Sequence, residues 1–72
     1  MGSVHTSDYQ EFLVKLRAAR RAAGLTQAAV AKRLGHPQSF VAKCESGERR
    51  VDVVELLKFA EIYGRNLDYF LQ

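Results

Sequence analysis

The chain has 72 residues, of which 47% are hydrophobic and 26% charged, and its 11 Lys and Arg against 8 Asp and Glu give a formal net charge of +3. This length allows one domain, close to the lower limit for independent folding, and the hydrophobic share excludes a disordered tail. A single Cys excludes an internal disulfide framework and a cysteine-based zinc site, and apolar runs of only a few residues exclude a membrane-spanning segment.

The order of residues predicts helices throughout. Residues 1–6 are expected to be a disordered N-terminal segment or a cloning remnant, and residues 7–72 the folded domain. No leader of charged then apolar residues opens the chain, so secretion is not expected. Ser7 and Asp8 are placed to cap a first helix, whose apolar positions Tyr9, Phe12, Leu13, Leu16, Ala19 and Ala23 recur at helical spacing before Gly24 stops it. Thr26 caps a short second helix, Gln27 to Leu34, with Val30, Ala31 and Leu34 inward and Gly35 at its end. His36-Pro37 forces a tight turn, because proline disfavours helical backbone at the residue before it and suits the first turn of a new helix. A third helix, about Pro37 to Ser46, has a dry side of Phe40, Val41 and Cys44. Its other side carries Gln38, Ser39, Ala42, Lys43 and Ser46. After a charged loop, Asp52 caps a fourth helix with Val53, Leu56, Leu57, Ala60 and Tyr63 at helical spacing. Asn66 begins a last short helix that turns Leu67, Phe70 and Leu71 toward the rest.

Charge is unevenly distributed. Residues 15–50 hold nine Lys and Arg against Glu45 and Glu48, whereas both ends of the chain are net acidic. A basic middle fits a polyanionic partner, and it equally fits helix faces solvated by Lys and Arg. The outer side of helix three separates these readings, because an ordinary solvent face would be rich in Glu and Lys, whereas this one carries small polar or amide residues and a single Lys. Gln38 can pair with adenine N6 and N7, Lys43 can donate to guanine O6 and N7, and Ala42 can lie against a thymine methyl or serve only as a spacer. Gln38, Ser39, Ala42 and Lys43 are therefore the candidate base-reading residues.

The stretch Leu25-Thr26-Gln27, Ala31, Leu34-Gly35, Pro37-Gln38-Ser39, Val41, Lys43 and Glu45-Ser46-Gly47-Glu48-Arg49-Arg50 resembles the Cro/C1-type (Xre-like) helix-turn-helix family of bacterial and phage transcriptional regulators. The resemblance runs from about Leu13 to Leu71. It implies an all-α, five-helix lambda-repressor-like domain with the helix-turn-helix at helices two and three. It also implies that the N-terminal end of helix three enters the major groove. Gln27 stands where the family holds a phosphate, and Arg49 and Arg50 match the loop that grips the backbone. Thr26 and His36 join them as phosphate candidates at the start of helix two and in the turn. Arg20 and Glu45 occupy positions that pair in related domains, which would tie helix one to helix three. Three positions depart from the family pattern. Pro37 replaces a capping Ser or Thr, which leaves His36 or Ser39 to cap; Cys44 replaces a larger apolar residue; and Val51 replaces a frequent Pro.

These features lead to a cytoplasmic, bacterial or phage-encoded regulator that binds double-stranded DNA. It is expected to be a repressor acting as a homodimer on a two-fold operator, with Ile62, Tyr69 and Leu71 as candidate dimer contacts. Leu67 and Phe70 are assigned to the monomer core. The alternative is an antitoxin or protein-interaction adaptor on the same fold. Cys44 is read as a small buried hydrophobe rather than a redox switch. No cofactor, metal, membrane or small-molecule substrate is expected. No Ser-His-Asp set, glycine-rich phosphate loop or catalytic carboxylate pair is present, and so small a chain leaves little room for an enclosed pocket, so enzyme activity is not expected.

Overall fold

A computed structural model describes residues 6–72. It contains α1 (Ser7–Ala22), α2 (Gln27–Leu34), α3 (Gln38–Ser46), α4 (Val53–Tyr63) and α5 (Leu67–Leu71), and no strand occurs among the described residues. Apart from Thr6, the segment expected to be disordered or a cloning remnant lies outside the described residues.

Local chemistry sets most of the boundaries. Thr6, not Ser7 or Asp8, caps α1: its backbone is extended and its hydroxyl accepts from the Tyr9 N–H. Thr26 caps α2 through the Ala29 N–H, and Asn66 caps α5 through the Tyr69 N–H. Asp52 and Glu55 form a reciprocal capping box at α4, in which each carboxylate accepts the other residue's backbone N–H, at 2.8 and 3.0 Å. The Val51 substitution therefore leaves the start of α4 well defined. Pro37 caps α3 without any side-chain hydrogen bond, so neither His36 nor Ser39 takes the role of the missing Ser or Thr. Gly35 and Gly47 close α2 and α3 with φ of 75° and 84°, where a Cβ would be strained.

All five helices feed one core. Leu16 and Ala19 from α1, Val30 and Ala31 from α2, and Val41 and Cys44 from α3 meet Leu56, Phe59, Ala60 and Tyr63 from α4 and Phe70 from α5. Two apolar stripes were in competition on α4. The buried one is Leu56, Phe59, Ala60 and Tyr63, an i, i+3, i+4, i+7 set, whereas Val53 is 65% exposed and Leu57 46%. The expected stripe had included both of these and omitted Phe59. Ala23 is likewise exposed, because the buried face of α1 ends at Ala19.

Contacts outside the helices fix how α1 lies across the others. The Tyr9 hydroxyl accepts the Val51 N–H at 3.0 Å, and the Arg50 guanidinium lies 4.7 Å from the Tyr9 ring centroid. Arg17 donates to the Glu45 carbonyl at 2.7 Å, which places a cation at the C-terminal end of α3 where carbonyls lack helical partners.

Candidate nucleic-acid interface

Helix α3 presents two chemically distinct sides. Val41, Cys44 and Glu45 face the core, and Phe40 is half-buried beside them. Gln38, Ser39, Lys43 and Ser46 are exposed, and Ala42 is partly exposed between them. The four candidate base-reading residues thus share the outward side. The turn before α3 leaves its N-terminal end standing clear, with Pro37 and Gln38 both exposed.

A buried charge lies directly behind that surface. Glu45 is only 2% exposed, and its carboxylate accepts three hydrogen bonds. Arg20 supplies two of them, from Nε at 2.7 Å and from Nη2 at 3.1 Å, and Gln27 Nε2 supplies the third at 3.0 Å. Arg20 also donates to the Leu25 carbonyl, so one guanidinium joins α1, the α1–α2 loop and α3. Hydrogen bonding to Glu45 raises the Arg20 guanidinium above its ordinary value. Gln27 Oε1 in turn accepts from Gln38 Nε2 at 3.5 Å. The phosphate candidate Gln27 is therefore also the link between the buried ion pair and the first residue of α3.

The remaining phosphate candidates occupy different settings. Thr26 is exposed at the N-terminus of α2, where its hydroxyl is engaged in capping. His36 is exposed, and its ring stacks on Phe40 at 4.0 Å. Arg49 lies 4.8 Å from the same Phe40 ring and donates to both Glu55 oxygens, at 2.8 and 2.7 Å. These hydrogen bonds hold the Glu55 carboxyl below its usual range. Arg49 therefore also pins the loop after α3 to the start of α4. Arg50 is exposed one residue later, over Tyr9.

Two groups near α3 have no part in the surface. Cys44 is fully buried, and burial pushes its thiol up, which keeps it in the unreactive protonated form. Tyr63 is buried with a hydroxyl that has no hydrogen-bond partner, and burial raises its ionisation well above the ordinary phenol value. Among the described residues no group of His, Cys, Asp and Glu could hold a metal ion, and no helix is long and apolar enough to cross a membrane.

The candidate dimer contacts are not equivalent. Leu71 is 71% exposed, whereas Ile62 and Tyr69 are partly covered by packing on the core. Val53, Val54 and Leu57 add exposed apolar surface on α4 that sequence reasoning did not single out. The doubled valine beside Leu57 was the available signal, but helical spacing alone placed two of these three inside. The Gln27–Glu45 hydrogen bond was also missed, since no local spacing brings residues of α2 and α3 together in this way.

A helix-turn-helix family model matches residues 16–70. A solved structure of an XRE-family like protein from Pseudomonas syringae pv. tomato str. DC3000 is 47% identical. The match covers 94% of this chain and 83% of that one, with a TM-score of 0.85. No curated protein matches the sequence.

Proposed function

From the membership of this chain in the Cro/C1-type (XRE) helix-turn-helix family, whose fold is that of DNA-binding regulators, we propose a sequence-specific transcriptional repressor that acts as a homodimer on a two-fold operator. The observation that carries this reading is the outward, polar side of α3, on which Gln38, Ser39 and Lys43 are exposed in front of a rigid, ion-paired support. A helix of this kind fits the major groove with its N-terminal residues against base edges.

Gln38, Ser39, Ala42 and Lys43 read bases in this proposal. Thr26, Gln27, His36, Arg49 and Arg50 surround them as phosphate contacts. Gln27 has a second N–H on Nε2 beyond the one given to Glu45, and this is the group proposed to meet a phosphate oxygen. Arg49 contributes from a guanidinium already held by Glu55. Occupying a promoter suffices for repression and needs no sensor domain. One helix-turn-helix reads few base pairs, so a dimer on half-sites about 34 Å apart supplies the affinity. The apolar surface of α4 and α5, with Leu71 and with Ile62 and Tyr69 at its edge, is the proposed self-association face.

Selection of bound duplexes from a random library tests the proposal in one step. The expected result is a two-fold motif with half-sites one helical turn apart, and affinity that falls steeply with salt. Retention of a toxin or another regulator, with no duplex binding at low salt, would instead establish the antitoxin or adaptor reading.

A further inference from the structure

The chain of contacts from Arg20 to Gln38 has a chemical direction. Arginine only donates hydrogen bonds and an ionised carboxylate only accepts them. The Glu45 carboxylate therefore obliges the Gln27 amide to face it with Nε2, as the 3.0 Å contact has it. With its nitrogen turned inward, Gln27 offers Oε1 to the next residue outward. Gln38 must answer with a donor, and its Nε2 lies 3.5 Å away. One N–H of Gln38 is thereby assigned, which leaves one N–H and Oε1 for whatever lies in front of α3. One donor and one acceptor match adenine, whose major-groove edge has the N7 acceptor and the N6 donor. They do not match guanine, which offers two acceptors, N7 and O6.

We propose that Glu45, a buried residue with no access to DNA, is the positioning residue that sets adenine over guanine at the base pair read by Gln38. This inference rests on the DNA-reading proposal above. The device is a relay of amide orientation, in which the core ion pair fixes the sense of Gln27 and Gln27 fixes the sense of Gln38. Packing alone would not do this, because the two ends of a glutamine amide have nearly the same shape and only hydrogen bonding distinguishes them.

Arg20→Met combined with Glu45→Met makes the argument sharp. Both Glu45 oxygens accept from Arg20, one from Nε at 2.7 Å and the other from Nη2 at 3.1 Å, so the two residues are replaced together and no buried charge is stranded. The double variant removes the acceptor that Gln27 Nε2 faces. The Gln27 amide is then free to turn either end toward Gln38. Gln38 in turn shows the groove either one donor and one acceptor or two N–H groups, the pattern guanine accepts. Gln27→Leu provides the second variant. It cannot transmit either sense, and it leaves the Arg20–Glu45 pair in place.

The experiment measures binding of the intact chain and each variant to selected operator duplexes, with all four base pairs substituted at every position and folding checked by circular dichroism. The position at which Gln38→Ala loses its preference identifies the base pair concerned. The wild-type chain is expected to favour adenine over guanine there by roughly 5- to 150-fold. The Arg20→Met, Glu45→Met double variant and Gln27→Leu are each expected to bring that ratio within about threefold at this position and at no other. A ratio is unaffected by a uniform loss of affinity, so a destabilised or phosphate-blind variant still reports. An unchanged adenine preference in the folded double variant, or in Gln27→Leu if the double variant does not fold, overturns the relay while leaving DNA reading intact. A wild-type preference for guanine overturns the assigned amide sense. Loss of no preference at any position in Gln38→Ala overturns the reading role itself, and the relay with it.

Discussion

Replacing Arg20 by Met strips the Glu45 carboxylate of two of its three hydrogen bonds, at 2.7 and 3.1 Å, and leaves only the one from Gln27. Water does not replace them, since the Glu45 side chain is 2% exposed and that of Arg20 only 12%. Removing one partner of a buried pair costs about 3–5 kcal/mol, because the surviving charge stays desolvated. A domain of this length has roughly 4–11 kcal/mol in total, at about 0.05–0.15 kcal/mol per residue. The loss is therefore a large part of the whole. At about 4–8 °C per kcal/mol it lowers Tm by roughly 12 °C or more. Urea unfolding followed by circular dichroism measures the change, with an unaltered m-value showing that the unfolded state is the same. Adding Glu45→Met to Arg20→Met removes the stranded charge and is expected to recover much of the stability, since apolar replacements of buried pairs are often neutral or better. A loss below about 1 kcal/mol in Arg20→Met, or a double variant no more stable than the single one, would refute the account of a buried, mutually dependent pair.

Further perturbations address separate parts of the molecule. Gln38→Ala is expected to cost about 1–3 kcal/mol on the preferred operator and to relax one base-pair position, whereas an equal loss on all duplexes would remove it from the reading set. Arg50→Ala is expected to weaken every duplex alike and to make the salt dependence shallower, and titrations across salt concentration check this. Tyr63→Phe deletes a buried hydroxyl that has no partner, so urea unfolding should find the variant equal to or more stable than the parent, and a loss above about 1 kcal/mol would reveal a partner for that oxygen. Glu55→Gln keeps a capping-box residue but removes the charge that Arg49 holds. The folded-state carboxyl sits below its ordinary value of 4.5, so its contribution is complete above about that pH and fades as pH falls through the lower folded value. The stability gap between parent and Glu55→Gln should therefore be present at neutral pH and close in acid, and a gap that widens in acid would contradict the sign.

Much of this architecture was legible because its signals are local. Glycines at helix ends, the capping residues Thr26, Asp52 and Asn66, and the His36-Pro37 break mark boundaries through nearest-neighbour sterics and hydrogen bonding, whereas the caps expected for α1 and α3 were not the ones used. The outward side of α3 was legible for a similar reason, since helical geometry alone separates Gln38, Ser39 and Lys43 from Val41 and Cys44. What escaped depended on tertiary choice. On α4 two overlapping stripes were both helical, and only the burial of Phe59 in the shared core selected between them. The engagement of Arg17 with the Glu45 carbonyl joins residues 28 positions apart, and no periodicity encodes it. The capture of Arg49 by Glu55 was hidden for another reason: a charged loop looks the same in sequence whether its cations meet a partner in their own chain or await one elsewhere.

Helix α3 is the one helix of the five described that begins with no side-chain oxygen over its first turn. The Phe40 N–H turns back to the Pro37 carbonyl, but the amides of Gln38 and Ser39 stay outside the intrahelical ladder. Their hydrogens are consequently among the first in the molecule to trade with heavy water. They lie on the same tip that leads into the proposed groove. Slowed deuterium uptake at these two amides, with the rest of the exchange map unchanged, would therefore serve as a label-free local gauge of occupancy.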